Sequence, residues 1–281
     1  MIRKIIKQDD GLVGIVVTVL IIGLIVVVTG IIQSVYVPQW LEQKEADHMH
    51  LVSYQFTQLK QSLDILSIID QKNAISVYIT LGTSEIPIFG TGKTYDYLNV
   101  LSNNYSNCNV EISNSTKSYN FSLGTIKYSS ENSYFVDQSF IYEAGTIILS
   151  QSGGNILNGK PSFFVSNSTN ISFNIVNVSS IMGKENAGGY GTYSLYMEYN
   201  NSTSYSIQNL TYINITTNYK NAWYTFFNDS SVKNSLPDYD INISWINENV
   251  CIISVKFENT LPNLILKVSE ISVQVAPGWV K

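Results

Sequence analysis

From Leu12 to Val37 the chain carries aliphatic polar side chains only at Thr18, Thr29, Gln33 and Ser34, and no charge at all. That exceeds the ~20 apolar residues needed to cross a bilayer as a helix. Lipid offers the backbone no hydrogen-bond partners, so such a segment must be helical despite the β preference of its many Ile and Val residues. Arg3, Lys4 and Lys7 precede it, and the next basic residue is Lys44. An excess of Lys and Arg marks the cytoplasmic flank, which predicts a cytoplasmic leader (residues 1–11) and an extracellular remainder. At over 20 residues the run is too long for the apolar part of a removable secretory signal, and no small-x-small cleavage site precedes Pro38.

After Pro38 the pattern becomes amphipathic without an intervening loop signal. Met49, Val52, Phe56, Leu59, Leu63 and Leu66 recur at steps of three and four, with Gln, Lys, Asp and Ser between them. Such spacing aligns one apolar face on a helix. Residues 12–72 therefore read as a transmembrane helix with an amphipathic continuation, about 90 Å long at ~1.5 Å per residue if Pro38 only kinks it. The stripe is expected to serve two uses, packing on the downstream domain and contact between subunits.

From residue 73 to 281 the period changes to two. Ile75 to Leu81, Tyr119 to Leu123, Thr146 to Leu149, Ile171 to Val178, Thr192 to Tyr199, Ile207 to Ile215, Ile241 to Ile246, Val250 to Phe257 and Leu264 to Val275 are rich in β-branched and aromatic residues. They predict one extracellular all-β domain, β-sandwich-like. Asn221 to Asn234, with Trp223, Phe226 and Phe227, breaks the alternation and predicts a short helix at an edge.

The charged fraction of this chain is 13%, about half the usual value, and Asn, Ser, Thr and Tyr supply the polarity instead. Asn-x-Ser/Thr triplets stand at Asn104, Asn114, Asn120, Asn167, Asn170, Asn177, Asn200, Asn201, Asn209, Asn214, Asn228 and Asn242. All twelve lie in the part placed outside, which makes them candidate N-glycosylation sites. Cys108 and Cys251 are the only thiols, leaving one disulfide or two buried free cysteines as the alternatives. With a net charge of -5 and no basic stripe, the chain is not expected to bind nucleic acid.

Motifs for chemistry are weak. Gly90-Thr91-Gly92-Lys93-Thr94 resembles the end of a phosphate loop, but Pro87 stands where its first glycine belongs, so a hairpin turn is expected. Gly188-Gly189-Tyr190-Gly191 reads as a loop. His48 and His50, two residues apart on a helix, point about 200° apart and cannot grip one metal; both are expected in solvent. The β domain itself contains no histidine, which removes His-based triads within it. Asp137, Glu143, Glu185, Glu198 and Glu248 show no spacing that pairs them for glycoside hydrolysis. The chain is therefore read as non-enzymatic, with no cofactor and no metal.

The short basic leader, the apolar helix, the proline, the amphipathic continuation and the sequon-rich β domain together resemble archaeal type IV pilin-like proteins, the group that includes archaellins. Lys7-Gln8-Asp9-Asp10-Gly11-Leu12-Val13-Gly14-Ile15 looks like their class III signal junction, and the stretch from Tyr134 to Gly154, with Val136-Asp137-Gln138-Ser139-Phe140-Ile141-Tyr142-Glu143, is similar to the ectodomain of membrane proteins in that group. The likeness implies cleavage by a prepilin peptidase near Lys7, Gln8 or Gly11. It departs from the pattern in two ways: Lys7 abuts Gln8 directly, and no glutamate stands near the fifth mature position. What the resemblance implies is a surface-filament subunit, major or minor, that self-associates through its N-terminal helix. The alternative is a single-pass, glycosylated ectodomain for adhesion or envelope structure that does not polymerise.

Overall fold

The computed structural model describes residues 9–83, 94–167, 169–181 and 184–276. Lys7, Gln8, the Gly90–Lys93 stretch and Pro277 to Trp279 lie outside the described residues. Helix α1 (Asp9–Ile31) passes through a π-helical turn (Ile32–Tyr36) into α2 (Val37–Ile69). The expected disturbance at Pro38 takes the form of this widened turn. Proline lacks an N–H and its ring presses on the carbonyl four residues back; in the π turn the Val37 N–H bonds the Ile32 carbonyl, five residues back, and helical geometry continues on both sides. The helix ends at Asp70, whose backbone is left-handed (φ 55°) and whose N–H reaches the Leu66 carbonyl.

Sixteen described strands follow. They are β1 (Ala74–Leu81), β2 (Tyr95–Leu101), β3 (Cys108–Asn114), β4 (Ser118–Leu123), β5 (Thr125–Glu131), β6 (Gln138–Glu143), β7 (Thr146–Gln151) and β8 (Gly154–Gly159). Then come β9 (Ser162–Ser166), β10 (Asn170–Ser180), β11 (Asn186–Gly189), β12 (Gly191–Ile207), β13 (Leu210–Thr217), β14 (Tyr239–Trp245), β15 (Cys251–Phe257) and β16 (Asn263–Ala276). Two short helices, α3 (Lys220–Asn228) and α4 (Ser230–Lys233), interrupt them between β13 and β14.

The strands form three sheets: a central one ordered β1-β12-β16-β10-β9, a six-stranded one ordered β11-β2-β5-β6-β7-β8, and an outer one ordered β14-β15-β13-β3-β4. The expected long helix with a sandwich-like all-β domain is what the chain adopts. Two details differ. The single run Ile207 to Ile215 is split by a turn at Asn209 (φ 53°), with β12 ending before it and β13 starting after it. Gly188 and Gly189 belong to edge strand β11, paired with Tyr97 and Asp96, and are not loop.

Two hydrophobic cores result, and the parallel pair β10·β16 serves both. Ile171, Phe173 and Ile175 of β10 and Leu264, Leu266 and Val268 of β16 face the first core, under the outer sheet. Val176 and Val178, then Ile271, Val273 and Val275, face the second. Successive side chains alternate across a strand, so the shift of parity near Ile175/Val176 means each strand buries one face in its first half and the opposite face in its second. The expected short helix is α3, which packs on the edge strands β8 and β14 and fills the first core: Trp223 and Phe227 stack at 6.2 Å between centroids, with Phe163 edge-on to Phe227 at 6.0 Å.

The second core is where the helix docks. All six stripe residues, Met49, Val52, Phe56, Leu59, Leu63 and Leu66, are only 0–2% exposed. They cover Val77, Ile79, Leu98, Phe140 and Tyr142, with the Phe56 ring 5.6 Å from Phe140. This corrects the expectation of a shared stripe: the face is consumed within the chain and none of it is left for a neighbouring subunit. Leu59→Ala would leave a cavity among these side chains and should cost about 2–5 kcal/mol of unfolding free energy, read by denaturant titration in detergent.

Candidate functional site

The surface in need of a partner is the helix itself. From Val13 to Ile31 its large apolar side chains are 46–67% exposed, and none of this stretch is covered by the rest of the chain. Val13–Ile69 is the one helix among the described residues long and apolar enough to cross a membrane. Tyr36 and Trp40, with ring centroids 6.1 Å apart, mark the upper end of the run, where amphipathic rings sit at a lipid–water boundary. From Trp40 upward α2 shows a second apolar face, opposite the buried stripe on the helix: Trp40, Leu51, Tyr54, Ile65, Ile68 and Ile69 are 44–70% exposed. Sequence reasoning followed the buried stripe and missed this outer one, because Gln, Ser and Lys residues dilute its period.

Polar contacts fix the height of α2 on the domain. Near its lower end the buried Glu45 carboxylate accepts from three consecutive amides of the β5–β6 loop, Ser133 (3.1 Å), Tyr134 (2.8 Å) and Phe135 (2.7 Å). One turn on, His48 Nε2 meets Asp96 Oδ2 and the Tyr128 hydroxyl, each at 2.9 Å. Asp96 also accepts from Tyr128, from Ser130 Oγ (2.7 Å) and from the Gly82 amide. Burial raises the Asp96 carboxyl, but these donors, His48 foremost, outweigh it and hold the group below its usual range. At the upper end Tyr199, Ser202 and Lys267 converge on Asp70, and Lys267 also donates to the Ser67 carbonyl at 2.8 Å.

The expectation of two solvated histidines is thus corrected. His50 is exposed, but His48 is buried and enters the β domain from the helix, supplying the histidine that the domain's own sequence lacks. Its inward nitrogen is committed to Asp96 and Tyr128, so the trio ties the helix to strands β2 and β5. Among the described residues no three His, Cys, Asp or Glu side chains converge as metal ligands would.

A third buried carboxyl joins the six-stranded and outer sheets. Glu143 Oε1 accepts from Thr217 Oγ1 and from Trp223 Nε1, each at 2.7 Å. Burial pushes its pKa up to about 7 against these two donors. The other carboxylates weighed for catalysis do not join it: Glu185 accepts from Ser180, and Asp137 caps the Asn132 amide.

The cysteine pair lies beside Glu143 and is not bonded. Both thiols are free and buried. Strand β13 separates them: Thr217 pairs with Cys251, while Thr216 pairs with Asn109, the neighbour of Cys108. Two strand spacings are about 9.6 Å, past the ~7 Å limit for a disulfide. Burial and the proximity of Glu143 push the Cys108 thiol well up.

The sequon asparagines scatter over the central and outer sheets and their turns. Asn104, Asn120, Asn167, Asn170, Asn200, Asn201, Asn209, Asn228 and Asn242 are exposed, whereas Asn114, Asn177 and Asn214 are half-buried.

Two measurements check these assignments. A thiol reagent should find no reactive cysteine in the native protein and two after denaturation without reductant. Because Glu143 binds its proton more tightly folded than unfolded, its stabilising contribution is full below about pH 4.5 and lost as pH rises through about 7, roughly 3 kcal/mol in all. Glu143→Gln should flatten the decline in stability over that window. Comparison of the chain with protein-family models, with curated proteins and with solved structures finds no match in any of the three.

Proposed function

We propose that this chain is a structural subunit of a cell-surface filament of type IV pilin-like architecture, held together by its N-terminal helix. The observation that carries the reading is an apolar rod whose lower half is wholly uncovered and whose upper half keeps an outer apolar face after docking on its own domain. Lipid can cover the rod only over a bilayer's ~30 Å, so the outer face of α2 above Trp40 asks for protein. Neighbouring copies of the same helix, staggered along an axis, would cover both parts at once and leave the β domains as an outer wall. The basic leader and the sequon-rich domain agree with a cytoplasmic N-terminus and an extracellular body.

A second reading rests on the same rod: the chain stays in the bilayer as a single-pass anchor and its β domain acts alone. The two differ in what α2's outer face must do. Ile68→Asp, at a position 70% exposed and beyond the bilayer-length run, leaves insertion and folding intact. It should abolish filaments in electron micrographs of sheared surface material while the protein remains in the membrane fraction. Filaments that contain the chain and persist unchanged in this variant would overturn helix-packed assembly. Finding the wild-type chain only in detergent-solubilised membrane would favour the anchor.

A further inference from the structure

In the outer sheet the register sets five residues side by side across the strands: Asn120 pairs with Glu111, Glu111 with Asn214, Asn214 with Ser254, and Ser254 with Asn242. All five share the face turned away from the core, since their strand neighbours Ile112, Ile213 and Ile253 are buried beneath. Three are sequon asparagines, two strands apart each time and hence about 9.6 Å apart. Their environments differ sharply. Asn120 and Asn242 are exposed on β4 and β14, the two edge strands of the sheet.

Asn214, on the middle strand, is clamped. Its Nδ2 donates to Glu111 Oε2 at 3.0 Å, and its Oδ1 is shut off from solvent with no donor of its own. Tyr212 and Ser118 donate to the same carboxylate, so Glu111 sits below its usual range, held there first by Asn214. Asn177 of β10 is held in another way: its Oδ1 accepts the Gly124 amide at 3.0 Å, where the backbone is packed so closely that a Cβ on Gly124 would lie 1.8 Å from the Val178 carbonyl.

We propose that N-linked glycan is carried at the edge acceptors Asn120 and Asn242 and excluded from the interior acceptors Asn177 and Asn214, so that two sugars flank a bare Glu111–Asn214 strip. A sugar on Nδ2 replaces one amide hydrogen with a pyranose ring. At the edges that ring projects into solvent. At Asn214 it would have to displace the Tyr212, Ser118 and Glu111 contacts, and at Asn177 it would force apart the Gly124–Val178 approach. None of the twelve acceptors falls in the six-stranded sheet, although Asn99, Asn155, Asn158 and Asn186 lie on its strands, so glycans gather on the outer and central sheets.

This inference rests on the extracellular placement of the β domain, and its test is built to separate the two. Full-length protein from its native membrane is digested and its glycopeptides are mapped by mass spectrometry, alongside labelling of intact cells with an impermeant amine reagent. Carbohydrate mass on the Asn120 and Asn242 peptides with unmodified Asn177 and Asn214 is the expected result, and Asn120→Gln and Asn242→Gln should each remove one glycan mass from the intact protein. Sugar at either interior site, or none at either edge site, overturns the proposal. A surface-labelled chain with the wrong pattern sinks this inference alone, whereas a chain inaccessible to the label sinks the extracellular reading beneath it.

Discussion

The burial of one helical stripe against the second core is what the remaining architecture depends on. Six side chains from Met49 to Leu66 reach near-complete burial there, and at roughly 1.5–3 kcal/mol each they form the main link between the membrane-length rod and the β body. The polar contacts at Glu45, His48 and Asp70 add less net energy, since a hydrogen bond replaces bonds to water. They add register instead. A helix could slide one turn along an apolar groove at modest cost, but then three amides would lose the Glu45 carboxylate and Asp96 would lose His48.

Much of this was legible in the residues. The uncharged run from Leu12, the three-four spacing of the stripe and the switch to period two after Ile75 rest on periodicities that the backbone imposes, and the helix and all-β domain follow from them. What escaped sequence reasoning depends on pairings between distant segments. Strands β2, β3, β5 and β6 hide behind polar residues such as Asp96, Glu111 and Glu143, whose partners include side chains 32 to 103 residues away. The two-face use of β10 and β16 blurs their alternation, and His48 looked solvated because its carboxylate partner lies 48 residues further on. The stripe's destination was similarly hidden: spacing reveals an apolar face but not which surface will cover it.

The candidate site divides in the same way. The rod was visible at once, and the twelve acceptor triplets could be counted, but their ranking required the sheet register that places Asn120, Asn214 and Asn242 in one row. Two of the buried carboxyls, Asp96 and Glu143, also separate only in three dimensions. Asp96 is surrounded by donors that favour its charged form, so its contribution is lost on acidification, while Glu143 favours its neutral form and its contribution is lost on raising the pH. Between them they narrow the range over which both junctions are secure.

Strands β10 and β16 thread from one core to the other as a continuous parallel pair, with registers running unbroken from Asn170↔Asn263 to Ser180↔Val273. Neither core can melt without pulling apart strands that the other requires. The β body should therefore behave as a single cooperative unit, and because those partners are about a hundred residues apart in the chain, closing that pair is a late and slow event in its folding. A rod inserted in lipid before that closure would hold a half-built body outside the membrane, with its apolar faces open until the final strand arrives.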